Sequence, residues 1–468
     1  MRGEAQVDKR ATRIARRIEA DIIRRGWPIG VSLGSERVLQ ERYQVSRSVL
    51  REAVRLVEHH RVARMRRGPN GGLLICEPDA APATHALIIY LEHLGITVGD
   101  LLDARLLLEP LAASLAAQHI DEEGIDGLRA VLRAEQDRQS PNDEFHTVLA
   151  EQSKNPVLQL YVDILMRLTV RYAVDSRLDS ASDASDAFEA VEHRRRAHAD
   201  IVDAVTAGDA ARAMALSERH AESVPACLHD HHHPAGRPSG EPPGKLAEVL
   251  AAAIRDDIAS SGSQVGEVFG TEIALLERYR VSRSVLREAV RLLEYHAVAT
   301  MRRGPGGGLV VSEPQAQASI DAIALYLQYR QPRREDLRMI SDAIEIDNVA
   351  KVVRRRDTPQ VRAFLQQHRV FFEQAGDDPR KAAVAAFLFH TGLAALAGNA
   401  VLELFLRILG ELFRRHWAGS DQPVPSRTDL VEVRHAHLRI IEAIEQGDDS
   451  LARHRIRRHL DAAASWWL

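Results

Sequence analysis

Features that would place this chain in several common protein classes are scarce or absent. Its 468 residues include two cysteines, Cys76 and Cys227, so disulfides do not form the scaffold and a reducing cytosol fits. No run of about 18 apolar residues occurs, and residues 1–17 lack the apolar stretch of a signal peptide. We therefore expect a cytoplasmic chain with no membrane segment and, at this length, several domains.

Positive charge is not in excess over the whole chain either, since the formal net charge is −4. This argues against a chain-wide surface for nucleic acid, although local basic surfaces decide such binding. Two segments are basic: residues 34–77 carry nine arginines against five glutamates, and residues 270–313 carry seven against five. Two basic modules therefore lie in an otherwise acidic chain.

The clearest positive signal is an internal repeat. Residues 34–78 recur without a gap as residues 270–314, an offset of 236 residues. Roughly two-thirds of the positions are identical, and the period is far longer than the ~20–50 residues of solenoid repeats. The pattern indicates duplication of a whole multi-domain unit. The sequence predicts five segments: 1–79, 84–228, 229–244, 245–315 and 316–468.

The seam between the copies, residues 229–245, is rich in Pro, Gly and His and has almost nothing apolar to bury. This composition predicts a flexible linker, and a metal held by its His run is the alternative. Residues 1–228 are called half one below, and residues 245–468 half two. After Pro78 and Pro314 each half continues with Ala and Leu at helical spacing, which predicts an all-α bundle.

Within the repeated block, residues 36–43 and 47–59 predict two short helices joined by a tight turn. Ser35 and Ser46 suit the N-cap of each helix, and the arrangement is that of a helix-turn-helix. The second helix has two faces. Its apolar stripe is Leu50, Ala53, Val54 and Val57, and its basic stripe is Arg47, Arg51 and Arg55. Such a helix is anchored on one side while its guanidinium groups reach phosphates and guanine edges.

Residues 64–78, RMRRGPNGGLLICEP, predict a β-hairpin with arginines at its tip. This wing can lie along the DNA backbone or in a minor groove. A solvated, salt-bridged helix beside an ordinary hairpin is the alternative, but the stripe, turn, cap and basic wing occur together twice. The predicted fold is mainly α: two winged helix-turn-helix domains of α+β type with a small β wing, each followed by an all-α helical bundle.

The motifs GSERVLQERY, VSRSVLREAVRLVE and RRGPNGG resemble the N-terminal domain of GntR-family bacterial transcription regulators, and the segment lengths are similar to those of the FadR-type subfamily. The resemblance covers nearly the whole chain, as a tandem duplication, and implies binding of double-stranded DNA. The family's DNA-contacting positions fall on Arg37, Ser46, Arg47, Ser48, Arg51, Arg67 and Gly68 in half one. In half two they fall on Ser282, Arg283, Ser284, Arg287, Arg303 and Gly304. Ile273 stands where Arg37 stands, so we expect half two to read its half-site less tightly.

Histidines recur at similar spacings in the two helical bundles. Half one has Asn142 and His146 on one helical face, then His198 and His220, and half two has His390, His437 and His459; the last two histidines of each set are 22 residues apart. Three imidazoles from separate helices can enclose Zn²⁺ or a similar ion. The alternative is a set of core histidines, each with one hydrogen-bonded nitrogen.

The resemblance also implies an effector site in each bundle. Many FadR-type effector domains hold a metal with Asp or Asn and three His, and the metal helps to bind a small carboxylate. Half one fits this pattern and places Arg105 where the family commonly has an arginine near the ligand. Half two departs twice, with Ala386 in place of Asn142 and Ser341 in place of Arg105, so we expect its site to be degenerate.

These observations predict a sequence-specific transcription regulator, a repressor by the family's commoner mode, that responds to a small carboxylate metabolite through a bound metal. The alternatives are an architectural DNA-binding protein and a metal-dependent enzyme. Because the linker keeps two winged helices in one chain, we expect the halves to pair as an intramolecular pseudo-dimer on an imperfect palindrome. A further homodimer of whole chains stays open.

Overall fold

Helices make up most of the structure, a computed structural model that describes residues 2–66, 68, 71–136, 144–179, 184–223, 246–295, 298–302, 304, 306–313, 315–374, 379–417 and 427–467. The helices of half one are α1 (Arg2–Arg24), α2 (Glu36–Tyr43), α3 (Arg47–His59), α4 (Ala81–His93), α5 (Val98–His119), α6 (Glu122–Gln136), α7 (Glu144–Gln152), α8 (Pro156–Asp179), α9 (Ala184–Thr206) and α10 (Ala210–Ser223). Those of half two are α11 (Leu246–Ser260), α12 (Glu272–Tyr279), α13 (Arg283–Tyr295), α14 (Gln317–Arg330), α15 (Arg334–Arg354), α16 (Pro359–Gln374), α17 (Pro379–Ala397), α18 (Ala400–Trp417), α19 (Arg427–Gln446) and α20 (Asp449–Trp467). Among the described residues, no helix is both long and apolar enough to cross a lipid bilayer.

The strands form two small antiparallel sheets, one in each repeated block. In half one, β1 (Ala63–Arg66) pairs with β2 (Gly72–Ile75), and Ser32 bridges Leu74. In half two, β3 (Val268–Gly270), β4 (Ala299–Arg302) and β5 (Gly308–Val311) form a sheet in the order β3-β5-β4. The prediction of a mainly helical fold with a hairpin after the helix-turn-helix is therefore confirmed.

Local chemistry sets the bounds of α2 and α3, which begin and end where the sequence predicts. The Ser35 hydroxyl accepts a hydrogen bond from the Val38 amide, and Ser46 caps the next helix in the same way. Gln44 ends α2 in the left-handed region at φ 51°, where its side-chain amide donates to the Glu41 carbonyl oxygen at 2.7 Å. The apolar stripe of α3 is buried as predicted.

The chain separates into two units, of which the first comprises residues 1–87 and 317–331. Its core packs α1 and α3 over the hairpin and includes Leu325 of α14, which is fully buried. The ring of Tyr329, also on α14, lies 5.4 Å from that of the buried Trp27, and Arg16 and Asp321 form an ion pair at 3.0 Å. A helix of half two therefore completes the first unit. This unit does not coincide with any of the five predicted segments, because it combines residues from both halves. The boundaries of those segments remain predictions.

The second unit comprises residues 88–316 and 332–468 and contains both helical bundles. The core of the first bundle is formed mainly by α5, α6, α7, α9 and α10. The core of the second is formed mainly by α15, α16, α17, α19 and α20. Because the bundles repeat the same helix order, equivalent positions can be compared directly.

Equivalent residues of the two bundles meet each other inside this unit. The side chain of Asn155 caps α8 and donates to the Asp336 carbonyl oxygen at 3.0 Å, while Asn399 caps α18 and donates to the Asp100 carbonyl oxygen at 2.9 Å. The ring of Tyr161 stacks on Phe405, its own equivalent, with centroids 4.0 Å apart. Such reciprocal contacts are typical of an interface with two-fold symmetry.

We expect Tyr161→Ala to lower the free energy of unfolding by about 3–5 kcal/mol, because the ring is fully buried and no neighbour can fill its volume. Chemical denaturation followed by circular dichroism measures the change. Tyr161→Phe is the matched control: it keeps the stack and removes only the hydroxyl that donates to the Phe405 carbonyl oxygen at 2.7 Å, so about 1–2 kcal/mol should be lost. Equal losses from both variants would contradict a role for the stacked rings.

Candidate DNA-binding face and histidine sites

The helix-turn-helix of half one presents a basic face. Arg47 and Arg51 of α3 both donate to the same carboxylate oxygen, Oε1 of Glu36, at 3.1 and 2.8 Å. Arg37 lies one residue further along α2, with 83% of its side chain exposed, 3.6 Å from Glu41. The hydrogen bond from Arg47, followed by that from Arg51, holds the pKa of Glu36 below its usual range. Glu36 therefore fixes two predicted DNA-contacting arginines relative to each other.

Sequence reasoning did not single out Glu36, although a signal was present. It occupies the first position of α2, and Glu272 occupies the same position of α12. The serines at the start of α3 lie beside these arginines, with the hydroxyls of Ser46 and Ser48 3.1 Å apart. Two hydroxyls and two guanidinium groups at one helix N-terminus provide donors for phosphate oxygens.

The wing of half one is also basic. Arg64 and Arg66 alternate along β1 and are exposed, and Gly68 takes a φ of 114° at the tip. Arg67, which the resemblance marks as a DNA contact, lies outside the described residues. Gly72 closes the hairpin at φ 144°, where an added Cβ would lie 2.7 Å from the Gly34 carbonyl oxygen, so this close approach requires glycine.

Half two repeats this face with fewer ion pairs. Ser282 and Ser284 place their hydroxyls 2.9 Å apart at the start of α13. Arg287 lies 3.8 Å from Glu272, and the exposed Arg283 precedes it by one turn. Ile273, at the Arg37 position, is 64% exposed. At the wing, Gly304 takes a φ of 104°, while Arg303 lies outside the described residues.

Three histidines converge in the first bundle, as the spacing predicted. Nε2 of His220 lies 3.2 Å from Nε2 of His198 and 3.4 Å from Nε2 of His146, and all three side chains are buried. They come from α7, α9 and α10, and the 22-residue interval spans the turn between the last two helices. Asn142, the fourth predicted ligand, lies outside the described residues.

Carboxylates orient two of these imidazoles from behind. Nδ1 of His146 lies 3.1 Å from Oε2 of Glu109, and Nδ1 of His198 lies 3.0 Å from Oε1 of Glu135. A histidine that ligates a metal commonly donates its other ring N–H in this way, which fixes the tautomer. In both residues Nε2, the nitrogen on the far side of the ring, faces Nε2 of His220. Neither glutamate was predicted from the sequence, because both contacts join separate helices.

Burial lowers the pKa of two histidines of the triad, His198 and His220. It lowers the pKa of His198 to about 4, against the raising effect of Glu135, and lowers the pKa of His220 to about 2. Burial raises the pKa of Glu109, but the neighbouring charges of Arg105 and His146 lower it by more. The pKa of Glu109 is therefore below its usual range. Two of the three imidazoles, those of His198 and His220, are thus held neutral beside an ionised carboxylate.

This donor set fits a divalent metal such as Zn²⁺. Two nitrogens bound to one zinc ion at about 2.0–2.1 Å in tetrahedral geometry lie ~3.3 Å apart. The Nε2 atom of His220 lies at such a distance, 3.2 and 3.4 Å, from Nε2 of His198 and of His146. Imidazole lone pairs that face one another in a buried space repel unless a cation or a proton lies between them. The Nδ1 atom of His220 is buried and makes no hydrogen bond within the described part of the chain.

Arg105, the predicted ligand clamp, lies next to the triad but is not free. Its guanidinium group donates to Glu109 through Nε at 2.5 Å and Nη2 at 3.5 Å. Nη1 lies 3.4 Å from the Thr169 hydroxyl. The arginine is 3% exposed, so an anion bound to its guanidinium group would be shielded from water.

The second bundle contains a corresponding triad. Nε2 of His390 lies 3.2 Å from Nε2 of both His437 and His459, and Nδ1 of His390 is hydrogen-bonded to Glu345. Nδ1 of His437 has no hydrogen-bond partner among the described residues. Ser341, at the Arg105 position, donates to Glu345 at 3.2 Å. A serine hydroxyl therefore contacts Glu345 at the position where the guanidinium group of Arg105 contacts Glu109.

Burial and Glu345 act in opposite directions on the histidines of the second triad. Burial lowers the pKa of His390, but the charge and hydrogen bond of Glu345 raise it, and the net direction is up. Burial lowers the pKa of His437 well below its usual range and that of His459 to about 3. Glu345 stands at the same 236-residue offset from Glu109 that relates the repeated blocks, and this retained carboxylate was the signal that sequence reasoning missed.

We expect the metal-free protein to lose stability as the pH falls from about 6.5 to about 4. The folded-state pKa of His198 is about 4 and the unfolded value is ~6.5, so the unfolded chain binds the proton first and is favoured in that window. Between pH 7.5 and pH 5.0 this residue alone should cost about 2 kcal/mol. Urea unfolding of chelator-treated protein at both pH values measures the loss, and His198→Asn should reduce the difference by the same amount. A difference unaffected by His198→Asn would contradict this account.

Family models match three segments of the chain. Residues 100–223 and 336–462 each match the FCD domain, and residues 10–69 match bacterial regulatory proteins of the gntR family. The Uxu operon regulator of Haemophilus influenzae is 30% identical over 184 residues, which are 37% of this chain and 66% of that protein. The Exu regulon transcriptional regulator of Escherichia coli is 23% identical over 221 residues, 47% of this chain and 83% of that protein.

Two further comparisons cover most of the other protein. The HTH-type transcriptional regulator Rv0494 of Mycobacterium tuberculosis is 30% identical over 219 residues, 44% of this chain and 85% of that protein. Among solved structures, the chain is similar to Streptococcus agalactiae GntR, with a TM-score of 0.33, 23% identity, and coverage of 46% of this chain and 98% of that one.

Proposed function

Because this chain is a DNA-binding transcription regulator that belongs to the GntR family of bacterial regulatory proteins and carries two FCD domains, we propose that it is a FadR-type repressor formed by tandem duplication. The matched families and relatives are regulators, not enzymes. The observation that carries the proposal is the exposed pair Arg47 and Arg51 at the N-terminus of α3, inside the segment matched to the gntR family. A regulator that binds the chromosome acts in the cytoplasm, where we place this chain.

The ligand we propose is a small carboxylate bound with the help of a metal ion. His146, His198 and His220 would hold the ion, and the FCD domain matches support such a site in half one. When bound, a divalent ion supplies open coordination positions that a carboxylate oxygen can fill. Arg105 would hold the same carboxylate by charge-assisted hydrogen bonds.

We further propose that one chain occupies one operator. The reciprocal contacts of Asn155 and Asn399, and the stack of Tyr161 on Phe405, support pairing of the two FCD domains within the chain. The repeated serines and arginines of α13 support a second DNA-binding domain at residues 245–315. Two different winged helices in one chain would read the two sides of an imperfect palindrome differently.

Sequencing DNA recovered from cross-linked cells, followed by footprinting of the fragments, tests the proposed function. We expect a discrete protected site with two unequal halves. The double variants Arg47→Ala/Arg51→Ala and Arg283→Ala/Arg287→Ala form a matched pair, and each should remove protection from one half of the site. Protection without discrete boundaries would instead support an architectural DNA-binding protein.

Light scattering of the complex on a short single-operator duplex tests the stoichiometry. We expect the mass of one chain per duplex, because the chain already supplies two DNA-binding faces. Two chains per duplex would show that the fusion does not replace the dimer of whole chains. The same measurement on the Arg283→Ala/Arg287→Ala variant is the control, since a chain that uses one face should still bind singly but more weakly.

A further inference from the structure

One ion pair joins the two helical bundles on one side of their interface. Nζ of Lys351, on α15, lies 2.9 Å from Oδ2 of Asp103, on α5, and 2.9 Å from Oδ2 of Asp347 in its own helix. The side chain of Lys351 is 12% exposed, whereas that of Asp103 is 50% exposed. The ammonium group is therefore largely removed from water and depends on two carboxylates, one of which belongs to the other bundle.

The equivalent positions on the other side of the interface are apolar. In a two-fold interface each contact has a counterpart, made by the equivalent residues of the opposite halves. At the offset of 236 residues, Lys351 corresponds to Leu115 in half one, and Asp103 corresponds to Met339 in half two. Leu115 is buried and Met339 is half-buried. The ion pair is therefore a one-sided contact, unlike the reciprocal contacts of the two capping asparagines.

This arrangement distinguishes unlike pairs of bundles from like pairs. In a pair of two first bundles, the two-fold would place Asp103 of each bundle beside Leu115 of the other, where the carboxylate meets an aliphatic side chain. In a pair of two second bundles, Lys351 of each would face Met339 and keep only Asp347 as its counter-charge. An unlike pair replaces these mismatches with one ion pair and one pair of apolar positions, and such a difference between right and wrong partners is what gives an interface its specificity.

The charge of each whole bundle acts in the same direction. Residues 84–228 contain 25 Asp and Glu against 13 Lys and Arg, whereas residues 316–468 contain 20 against 22. Two first bundles would therefore repel each other, while a second bundle, with its small positive excess, would not repel a first one. Salt screens repulsion between exposed charges beyond about 8 Å at physiological ionic strength, but it screens the largely buried contact of Lys351 less.

We propose that the interface between the bundles is selective for unlike partners, and that Asp103 and Lys351 determine this selectivity. The inference rests on the proposed function, since it starts from the pairing of the two FCD domains within the chain. A first bundle then accepts a second bundle, its own or that of another chain, and rejects a copy of itself. Two whole chains can therefore share this interface only by exchanging halves.

Pairing in the absence of the covalent tether tests the selectivity. A protease site inserted in the linker, residues 229–245, is cut after the full chain has folded, and native mass spectrometry then counts unlike and like pairs of the two fragments by mass. Isotope-labelled cut protein mixed with unlabelled cut protein shows when the fragments have exchanged to equilibrium. Fragments without a preference would form unlike and like pairs in equal numbers. We expect unlike pairs to exceed like pairs by more than about tenfold.

Two variants remove the proposed determinant. Asp103→Met combined with Lys351→Leu gives both halves the same two apolar residues, which each half already accommodates at one of these positions. The excess of unlike pairs should fall about tenfold, because like pairs no longer contain an unmatched charge. Asp103→Asn removes one charge with almost no change of shape, so it keeps the test decisive where the double variant does not fold, and the excess should fall severalfold. Because α14 is unchanged, its packing on the first unit contributes equally in every sample.

Glu442→Gln is the matched control. Glu442 and Arg455 form an ion pair at 2.9 Å in which the carboxylate is 49% and the cation 16% exposed, close to the values for Asp103 and Lys351. Both residues lie in the second bundle, on α19 and α20. The excess of unlike pairs should therefore be the same in this variant as in the unsubstituted protein.

The outcomes distinguish the pairing itself from its selectivity. If the cut halves separate and form no pairs, the proposed pairing of the two FCD domains is wrong, and this inference falls with it. If pairs form but the excess of unlike pairs survives both Asp103→Asn and the double variant, the pairing stands and the role of Asp103 and Lys351 is overturned. An equal fall in Glu442→Gln would overturn that role as well, since the loss of any ion pair would then have the same effect.

Discussion

Alanine at both His198 and His220 should abolish the stabilisation of half one by added metal. A ligand present at a thousandfold excess over its dissociation constant stabilises the folded state by about 4 kcal/mol, and this increment should vanish because two of three converging nitrogens are gone. Thermal unfolding with and without Zn²⁺ measures the increment. The metal-free melting temperature of each variant is recorded as well, so that the cost of removing buried side chains is kept apart.

The matched control is alanine at His437 and His459 in half two. We expect a smaller loss, because His198 has Glu135 behind it whereas Nδ1 of His437 has no partner among the described residues. The Asn142 position is also alanine there, at Ala386. Equal losses from the two double variants would contradict the expected asymmetry between the halves.

Arg51→Ala should weaken binding to a defined operator by about 1–3 kcal/mol, because it removes an outward guanidinium group at a position matched to a DNA contact. Fluorescence titration of the operator duplex measures the change. Arg51→Lys separates two roles: it keeps the charge but loses the fork, so a base contact is lost while a phosphate contact is largely kept. Unchanged affinity and base preference in both variants would remove Arg51 from the readout.

The salt dependence of binding supplies a second check on the same residue. Loss of one phosphate contact should reduce the slope of log affinity against log salt by about one. Arg287→Ala is the equivalent variant in half two. We expect its effect to be smaller, since Ile273 replaces Arg37 on the neighbouring helix and that half-site should contribute less to the total.

Local signals explain why the helix-turn-helix was predictable to the residue. Ser35 and Ser46 cap their helices through bonds that span three residues, and the stripe of α3 repeats at a helical period. Signals of this kind lie within a few turns of chain. The triads were predictable for a different reason: the 22-residue spacing of the last two histidines recurs in both halves, and the resemblance to FadR-type regulators implies three histidine ligands.

Contacts between distant segments were not predictable in the same way. Glu135 meets His198 across 63 residues, and Glu109 meets His146 across 37. In the sequence each is one glutamate among many on a solvated helix, and its partner is fixed only when the bundle packs. Arg105 was placed correctly beside the triad, but its pairing with Glu109 required knowing which face of α5 is buried.

The position of α14 has a consequence for how this gene can change. The helix that buries Leu325 against α1 and α3 is encoded after residue 316, whereas the ring it covers, Trp27, is encoded near the start. A frameshift or stop codon in the linker would leave the apolar surface of α1 and α3 that Leu325 covers exposed, even though the codons for these two helices are intact. Loss of the codons for residues 1–87 would in turn leave α14 without the core against which it packs. Because α14 completes the core that contains α1 and α3, the codons for residues 1–87 and those for α14 must be inherited together.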